Sequence, residues 1–316
     1  MDTEFEASLA TQEKVHLPTE RVSFTEQPPN MVDRYLSLLR DALLNRHYAS
    51  AARAPLSASE RRAALTLLGH LRAFFRPWLE RHPTHPEADE VTRLIHCTAD
   101  DFALWLRENS VQAMVLQQPS GLDNVRSCVE TVLQQGVPGD LMECGTWRGG
   151  VTVFMNGLLK AHGDLGRKVW VLDSFQGLPV PNQEECPLDY LSYEALKLVG
   201  GFSTSLEDVR GNFQKFDLLD EQVRFVPGWF ADTVPALQGL EQLAVLRLDA
   251  DFYESTVVLL EHLYPKLSVG GFIIVDDYGI SHMGARRAVD EYRERHEITQ
   301  PMIQVNPQTY FWQKLA

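Results

Sequence analysis

Cysteine is scarce in this chain: four occur in 316 residues, at Cys97, Cys128, Cys144 and Cys186. None falls in a CxxC spacing. That argues against a cysteine zinc site and a disulfide framework, and leaves reduced, packing cysteines as the expectation. Positive charge is also short. Lys plus Arg number 29 against 43 Asp plus Glu, for a net charge of −14. Such a surface repels nucleic acid and anionic membrane, so neither is expected as a partner. No uninterrupted apolar run approaches about 20 residues, so no transmembrane helix is expected. The opening MDTEFEASLATQEK is acidic and lacks the apolar core of a signal peptide, which points to a cytoplasmic protein. No internal repeat or low-complexity tract is visible.

What is present is ordinary soluble composition, 44% hydrophobic, and enough length for one large domain or two smaller ones. Residues 1–30 are polar and acidic and end in Gln27-Pro28-Pro29; a mobile tail is expected there. From Met31 the pattern is helical, with an apolar stripe at Val32, Tyr35, Leu36, Leu38, Leu39, Ala42 and Leu43. A second helix is expected through Leu65–Phe75, with Pro77 as a candidate kink, and a third from about Glu87 towards Leu106. This helical region, 31–117, is expected to cover the ligand edge of a sheet or to form a homodimer interface. Gln117-Gln118-Pro119-Ser120-Gly121 marks its end.

From 118 onward, strand and helix alternate. A helix over Asp123–Gln135 precedes a strand at Leu141–Cys144, a helix at Val151–Lys160 and a strand at Lys168–Leu172. A long insert, Gly177 to about Ser205, leads to a helix at Leu206–Phe216 and a strand at Val223–Val226. Ala244–Leu248 and Gly271–Val275 read as strands flanking a helix over Tyr253–Lys266, and Ile298–Lys314 as a hairpin at the sheet edge. Such alternation defines an α/β fold with a largely parallel sheet.

Parallel strands place their carboxyl ends on one edge, where open α/β sheets bind ligands. The strand before Asp249 and Asp251 and the strand before Asp276 and Asp277 both end in acid. Converging carboxylates repel unless a cation or proton intervenes. An all-oxygen set suits Mg²⁺, Mn²⁺ or Ca²⁺. The plain alternative is solvated loop acid, since Asp is a common turn residue.

A second constellation surrounds the first strand end. Glu143-Cys144-Gly145-Thr146-Trp147-Arg148-Gly149-Gly150 fills a strand-to-helix turn without a GxGxxG spacing. Glycines let the backbone approach a ligand. The charge of Glu143 opposes a pyrophosphate and favours a cationic ligand such as S-adenosylmethionine, with its sulfonium and ammonium. Asp173 ends the next strand, where a carboxylate can take both ribose hydroxyls. Gly228-Trp229 ends the third, where an aromatic can stack on adenine. Each signal is weak alone; three strand ends in order reinforce one another.

At these residues the sequence resembles the macrocin O-methyltransferase family, over about Met114–Trp312. The resemblance is carried by Gly136–Leu141 running into Glu143–Gly150, by Val169–Pro179, by Gly228-Trp229-Phe230 with Asp232-Thr233, by Leu248-Asp249-Ala250-Asp251 with Tyr253–Thr256, and by Asp276-Asp277-Tyr278. Residues from about Ala49 to His96 look like an addition to that pattern. The resemblance implies a Rossmann-like class I methyltransferase sheet with helices on both faces, behind an N-terminal helical region. It implies an S-adenosylmethionine- and Mg²⁺-dependent (or Mn²⁺-dependent) sugar O-methyltransferase of antibiotic biosynthesis. Asp249, Asp276 and Asp277 would hold the metal. Glu143, Gly145, Thr146, Trp147, Asp173, Ser174, Ser203 and Trp229, with Gly228, would line the cofactor site. Asp251 would be the general base, with His282 a rival. The acceptor is expected to be a small-molecule hydroxyl on a sugar, polyketide or peptide, free or borne on a carrier protein. A dinucleotide-dependent oxidoreductase and a non-catalytic methyltransferase-like scaffold are the competing classes.

Overall fold

Alternate strand residues face opposite sides of one sheet, and each side builds its own core. Leu141, Val169, Val171, Val245, Phe272 and Ile274 face one cluster; Met142, Trp170, Leu172, Leu246, Ile273 and Val275 face the other. Burial of both faces explains why these segments are nearly continuous apolar runs. The computed structural model describes residues 30–44, 58–81, 95–101, 118–198, 202–280 and 283–315, with 83, 92, 114 and 115 between them. The expected tail over residues 1–30 lies outside these, apart from Asn30.

The elements run in the order α1 (Met31–Leu43), α2 (Ala58–Arg81), α3 (Pro119–Gln135), β1 (Asp140–Cys144), α4 (Gly150–Ala161), β2 (Val169–Asp173), α5 (Pro187–Leu198), α6 (Leu206–Lys215), β3 (Val223–Pro227), β4 (Leu243–Leu248), α7 (Tyr253–Leu263), β5 (Leu267–Val275), α8 (Ala285–Arg295), β6 (Ile303–Gln304) and β7 (Tyr310–Gln313). The sheet order is β3-β2-β1-β4-β5-β7-β6. Strands β1 to β5 pair in parallel, and β7 pairs antiparallel with both β5 and β6. The terminal hairpin is therefore present at the sheet edge, as its sequence suggests.

Helices cover both faces. On one, α1 and α3 pack with α4 and α6; on the other lie α7 and α8. Helix α1 shares the sheet's own core through Leu36, Leu39 and Leu43. It sits so close to α4 that a Cβ on Gly157 would lie 2.4 Å from Leu39 Cδ2. Asn30 caps α1 by accepting the Asp33 N–H. Arg40 pairs with Asp123, and Arg126 with Asp33, tying α1 to α3.

Two local readings are corrected. Helix α3 begins at Pro119 rather than Asp123, because proline suits the first helical position, where no intrahelical N–H is needed. The expected third helix over 87–106 falls partly outside the described residues; within them it breaks at Cys97-Thr98. There the Thr98 hydroxyl accepts the Asp101 N–H and so caps a new turn. The insert, within which the sequence assigned no element, contains α5, whose Leu188 and Leu191 pack with Leu68 and Trp78 of α2. Helix α8 had no counterpart in the sequence reading, since its sequence ARRAVDEYRER is mostly charged and only Ala285, Ala288, Val289 and Tyr292 are buried.

Trp312 anchors the hairpin. It has no exposed surface, pairs with Ile273 across the β5/β7 ladder and lies beneath the Arg293 guanidinium, 4.7 Å from the ring centre. Large-to-small substitution of such an aromatic leaves a cavity. Trp312→Ala is expected to lower unfolding free energy by about 3–5 kcal/mol, read from urea melts followed by far-UV circular dichroism.

Candidate active site

The register of β1 and β4 sets Glu143 directly beside Arg247. Both side chains are fully buried and form an ion pair. The same guanidinium reaches Asp249 Oδ2 at 2.8 Å and Asp276 Oδ2 at 2.8 Å. One positive charge is thus set against three negative ones. Arg247 had no role assigned from the sequence, because that role needs the strand register. The signal was a single charge in the middle of a strand with apolar neighbours on both sides.

Ladder hydrogen bonds continue past the strand ends and draw the acidic loops together. Asp249 N–H donates to Cys144 C=O, Asp276 N–H to Leu248 C=O, Gly145 N–H to Leu172 C=O and Gly228 N–H to Asp173 C=O. Asp249, Asp276 and Asp277 each offer a carboxylate oxygen within 4.8 Å of the others. Thr309 donates its hydroxyl to Asp276 Oδ1 at 2.7 Å. Asp251 N–H donates to Asp277 Oδ2 at 3.1 Å. The oxygen donor set fits a hard divalent cation. The single Arg247 leaves part of the negative charge uncompensated, which also fits.

Electrostatics point the same way. Burial raises Asp249 to about 7 despite Arg247, with Asp276 adding to the rise. Burial first, then Asp249 and Asp276, pushes Asp251 well above the usual carboxylate range. Asp277 is raised by burial and by Asp251. Glu143 is pushed up to about 8 by burial, against the pull of Arg247. A site in which neighbouring acids resist ionisation invites a cation.

Backbone strain gathers here as well. Trp147, Phe175 and Asp251 adopt positive φ of 47°, 55° and 56°, a region costly for residues with a Cβ. Asp251 sits at the centre of a tight turn closed by a 2.5 Å bond from Phe252 N–H to Ala250 C=O. Gly145, at φ +84°, has no room for a side chain: a Cβ would lie 1.7 Å from Asp249 C=O.

The other sequence candidates surround the Gly-rich turn. Asp173 Oδ2 accepts the N–H groups of Thr146 and Trp147 at 2.8 and 3.1 Å, and its Oδ1 accepts that of Phe175 at 2.8 Å. Ser174 donates its hydroxyl to Gly177 C=O, and exposed Ser203 abuts Gly177. The Trp147 ring meets Phe202 edge-on and carries the Arg148 guanidinium at 4.1 Å. Gly228-Trp229 leads from β3 into a helical turn at Phe230–Thr233. Glu143 Oε2 and Thr146 Oγ1 are buried without a hydrogen-bond partner among the described residues. Two orphaned oxygens, one at the end of β1 and one in the turn that follows it, suit a ligand that brings its own donors. His282 lies outside the described residues.

A five-stranded parallel core of order 3-2-1-4-5, closed by an antiparallel hairpin strand and carrying its acids and Gly-rich turn at one edge, defines a class I methyltransferase fold. The macrocin O-methyltransferase (TylF) family model matches residues 32–314. The chain belongs to that family and is an O-methyltransferase of natural-product biosynthesis.

Among curated relatives, the chain is 49% identical over 195 residues to 8-demethyl-8-(2,3-dimethoxy-α-L-rhamnosyl)-tetracenomycin-C 4′-O-methyltransferase of Streptomyces olivaceus, covering 62% of this chain and 73% of that one. It is 46% identical over 196 residues to mycinamicin III 3″-O-methyltransferase of Micromonospora griseorubida, covering 62% and 76%. Among solved structures, the O-methyltransferase NovP superposes with a TM-score of 0.67 at 36% identity, covering 90% of this chain and 100% of that one. These comparisons set aside the oxidoreductase and scaffold alternatives. No helix among the described residues is long and apolar enough to cross a membrane.

Removing Arg247 leaves Glu143 buried and unpaired, the costly half of a broken buried ion pair. Arg247→Met is expected to destabilise the fold by about 3–5 kcal/mol. Adding Glu143→Gln to that variant should recover a substantial part, because the unpaired buried acid is gone. Urea midpoints of the single and double variants decide this; equal midpoints would mean the pair contributes little.

Proposed function

We propose that this protein methylates a sugar hydroxyl of a natural product, using S-adenosylmethionine and a divalent cation, Mg²⁺ or Mn²⁺. The observation that carries the reading is the convergence of Asp249, Asp276 and Asp277 beside Asp251 and the Gly145–Trp147 turn. Support for the acceptor class comes from the relatives, whose names include a rhamnosyl tetracenomycin, mycinamicin III and demethyldecarbamoylnovobiocin.

In this reading each residue has a distinct task. S-adenosylmethionine would supply an electrophilic methyl group on a sulfonium. Asp173, now accepting three backbone N–H groups around the turn, would exchange part of that set for the ribose hydroxyls. Trp229 would offer an aromatic face to the adenine. Glu143 and Thr146 would present buried acceptors to the ligand's donors. Asp249, Asp276 and Asp277 would hold the cation, which would orient the acceptor and lower the pKa of its attacking hydroxyl. Asp251 would take the proton of that hydroxyl as methyl transfer proceeds. It must be ionised to do so, and burial with two neighbouring acids opposes ionisation; a cation held by Asp249, Asp276 and Asp277 would supply the positive charge that favours it. Alignment of two substrates at one strained turn would account for much of the rate, about 7–11 kcal/mol in favourable cases. The enzyme is expected in the cytoplasm, as a homodimer, acting on a free or carrier-borne acceptor.

The test uses three acceptor probes: the demethylated rhamnosyl tetracenomycin, mycinamicin III and demethyldecarbamoylnovobiocin, each with radiolabelled S-adenosylmethionine. Turnover of at least one, lost with EDTA and restored by Mg²⁺, is expected. Asp276→Ala should abolish transfer and weaken Mn²⁺ binding followed by electron paramagnetic resonance, while circular dichroism stays native. Asp251→Asn should keep Mn²⁺ and cofactor binding but lower kcat by about 10²-fold or more, the usual scale of general-base loss. Activity indifferent to chelation would remove the metal from the reading.

A further inference from the structure

Asp189 is a buried acid that none of the roles above uses. It lies in the first turn of α5, on the insert, and is 1% exposed. Its Oδ2 accepts the Tyr253 N–H at 2.7 Å and its Oδ1 accepts the Gly284 N–H at 2.6 Å. Tyr253 opens α7, two residues after Asp251, and Gly284 caps α8. The next residue, Ala285, donates its N–H to Asp251 C=O at 3.2 Å. One carboxylate therefore grips both backbone segments that bracket the Asp251 turn.

The fit is close. A Cβ on Gly284 would lie 2.5 Å from Asp189 Oδ2 and 2.5 Å from Tyr253 Cβ. Other bonds hold the insert to the same place. Glu254 Oε2 accepts the Asn182 N–H at 3.1 Å, and the Arg287 guanidinium stacks 3.7 Å from the Tyr253 ring while donating to Glu185 C=O. On its outer side α5 rests on α2 through Leu188, Leu191, Leu68 and Trp78. The Asp251 turn is strained, with φ 56° on a residue that has a Cβ. Strained turns persist only when their surroundings over-determine them. Burying a carboxylate against two N–H groups is costly: burial raises Asp189 to about 6 although both N–H groups lower it. A residue kept merely to fill space would not need that charge.

We propose that Asp189 is a positioning residue for Asp251: it clamps the turn that aims the base, and so couples the insert and the α2 layer to the proton-accepting carboxylate. The inference rests on the assignment of Asp251 as base, but its clamp is measurable without it. The experiment uses the full chain as Asp189→Asn and Asp189→Ala, beside Asp251→Asn. Asn retains one accepting oxygen and turns an N–H donor toward the other backbone N–H; Ala retains neither oxygen, and Asn serves if Ala does not fold.

Hydrogen exchange by mass spectrometry should quicken over peptides spanning residues 250–256 and 283–288, and stay unchanged over β1 and β2. With the acceptor probe turned over best by the wild type, kcat should fall about 10²-fold in Ala and about tenfold in Asn, the scale of a misplaced reacting group. KM for S-adenosylmethionine should stay within about twofold. Unchanged exchange at both peptides overturns the clamp, as does exchange that quickens equally across the sheet while kcat tracks loss of folded protein. Asp251→Asn judges the base alone: wild-type turnover there refutes that assignment, whatever the exchange shows at Asp189.

Discussion

A buried guanidinium holding three carboxylates is the constraint on which this molecule depends. Arg247 lies in the middle strand pair, fully enclosed, with Glu143 beside it and Asp249 and Asp276 beyond. An arginine in that setting is stable only if its charge is met, and its planar fork can meet several oxygens at once. The acids, in turn, can crowd a sheet edge only because a positive charge sits beneath them. Remove the arginine and the edge repels itself; remove the acids and the arginine has no business in the core. The pair therefore fixes which two strand ends lie side by side, and how closely.

Above that foundation the chemistry is arranged in layers. The ladder bonds that extend past the strands bring the loops into register. The Gly145 turn and the Asp249 loop then meet so tightly that only a glycine fits between them. The Asp251 turn is held from three sides, by Asp277 below, by Ala285 from α8 and by the Asp189 clamp from the insert. Strain is placed where orientation matters and is resisted by short polar contacts together with the burial of the flanking Ala250 and Phe252. The N-terminal region joins in through two different attachments. Helix α1 is part of the sheet's own core, whereas α2 packs, among the described residues, on α5.

Much of this was legible in the order of residues. Acid after each of two apolar runs, separated by a helical pattern, marked the ligand edge before any coordinates. The Gly-rich turn, Asp173 and Gly228-Trp229 marked three further strand ends in sequence order. The apolar β-runs were legible because both faces of a parallel strand are buried, so periodicity and composition agree. Helix α8 was not, because a helix with one narrow buried stripe looks charged throughout. Helix α5 was hidden by the prolines before and at its start, Pro179, Pro181 and Pro187, and by an insert whose fold depends on partners far away in the chain.

The sequence alone determined the α/β alternation, the family and the residues gathered at the strand ends, because each is written in local pattern. Only the tertiary structure decided what those residues do to one another. It set Glu143 against Arg247 through strand register, turned a stray charge into the centre of an acid cluster, and brought Asp189 across 64 residues to Tyr253. Contacts of that kind depend on which elements are neighbours in space, and spacing along the chain carries no record of it.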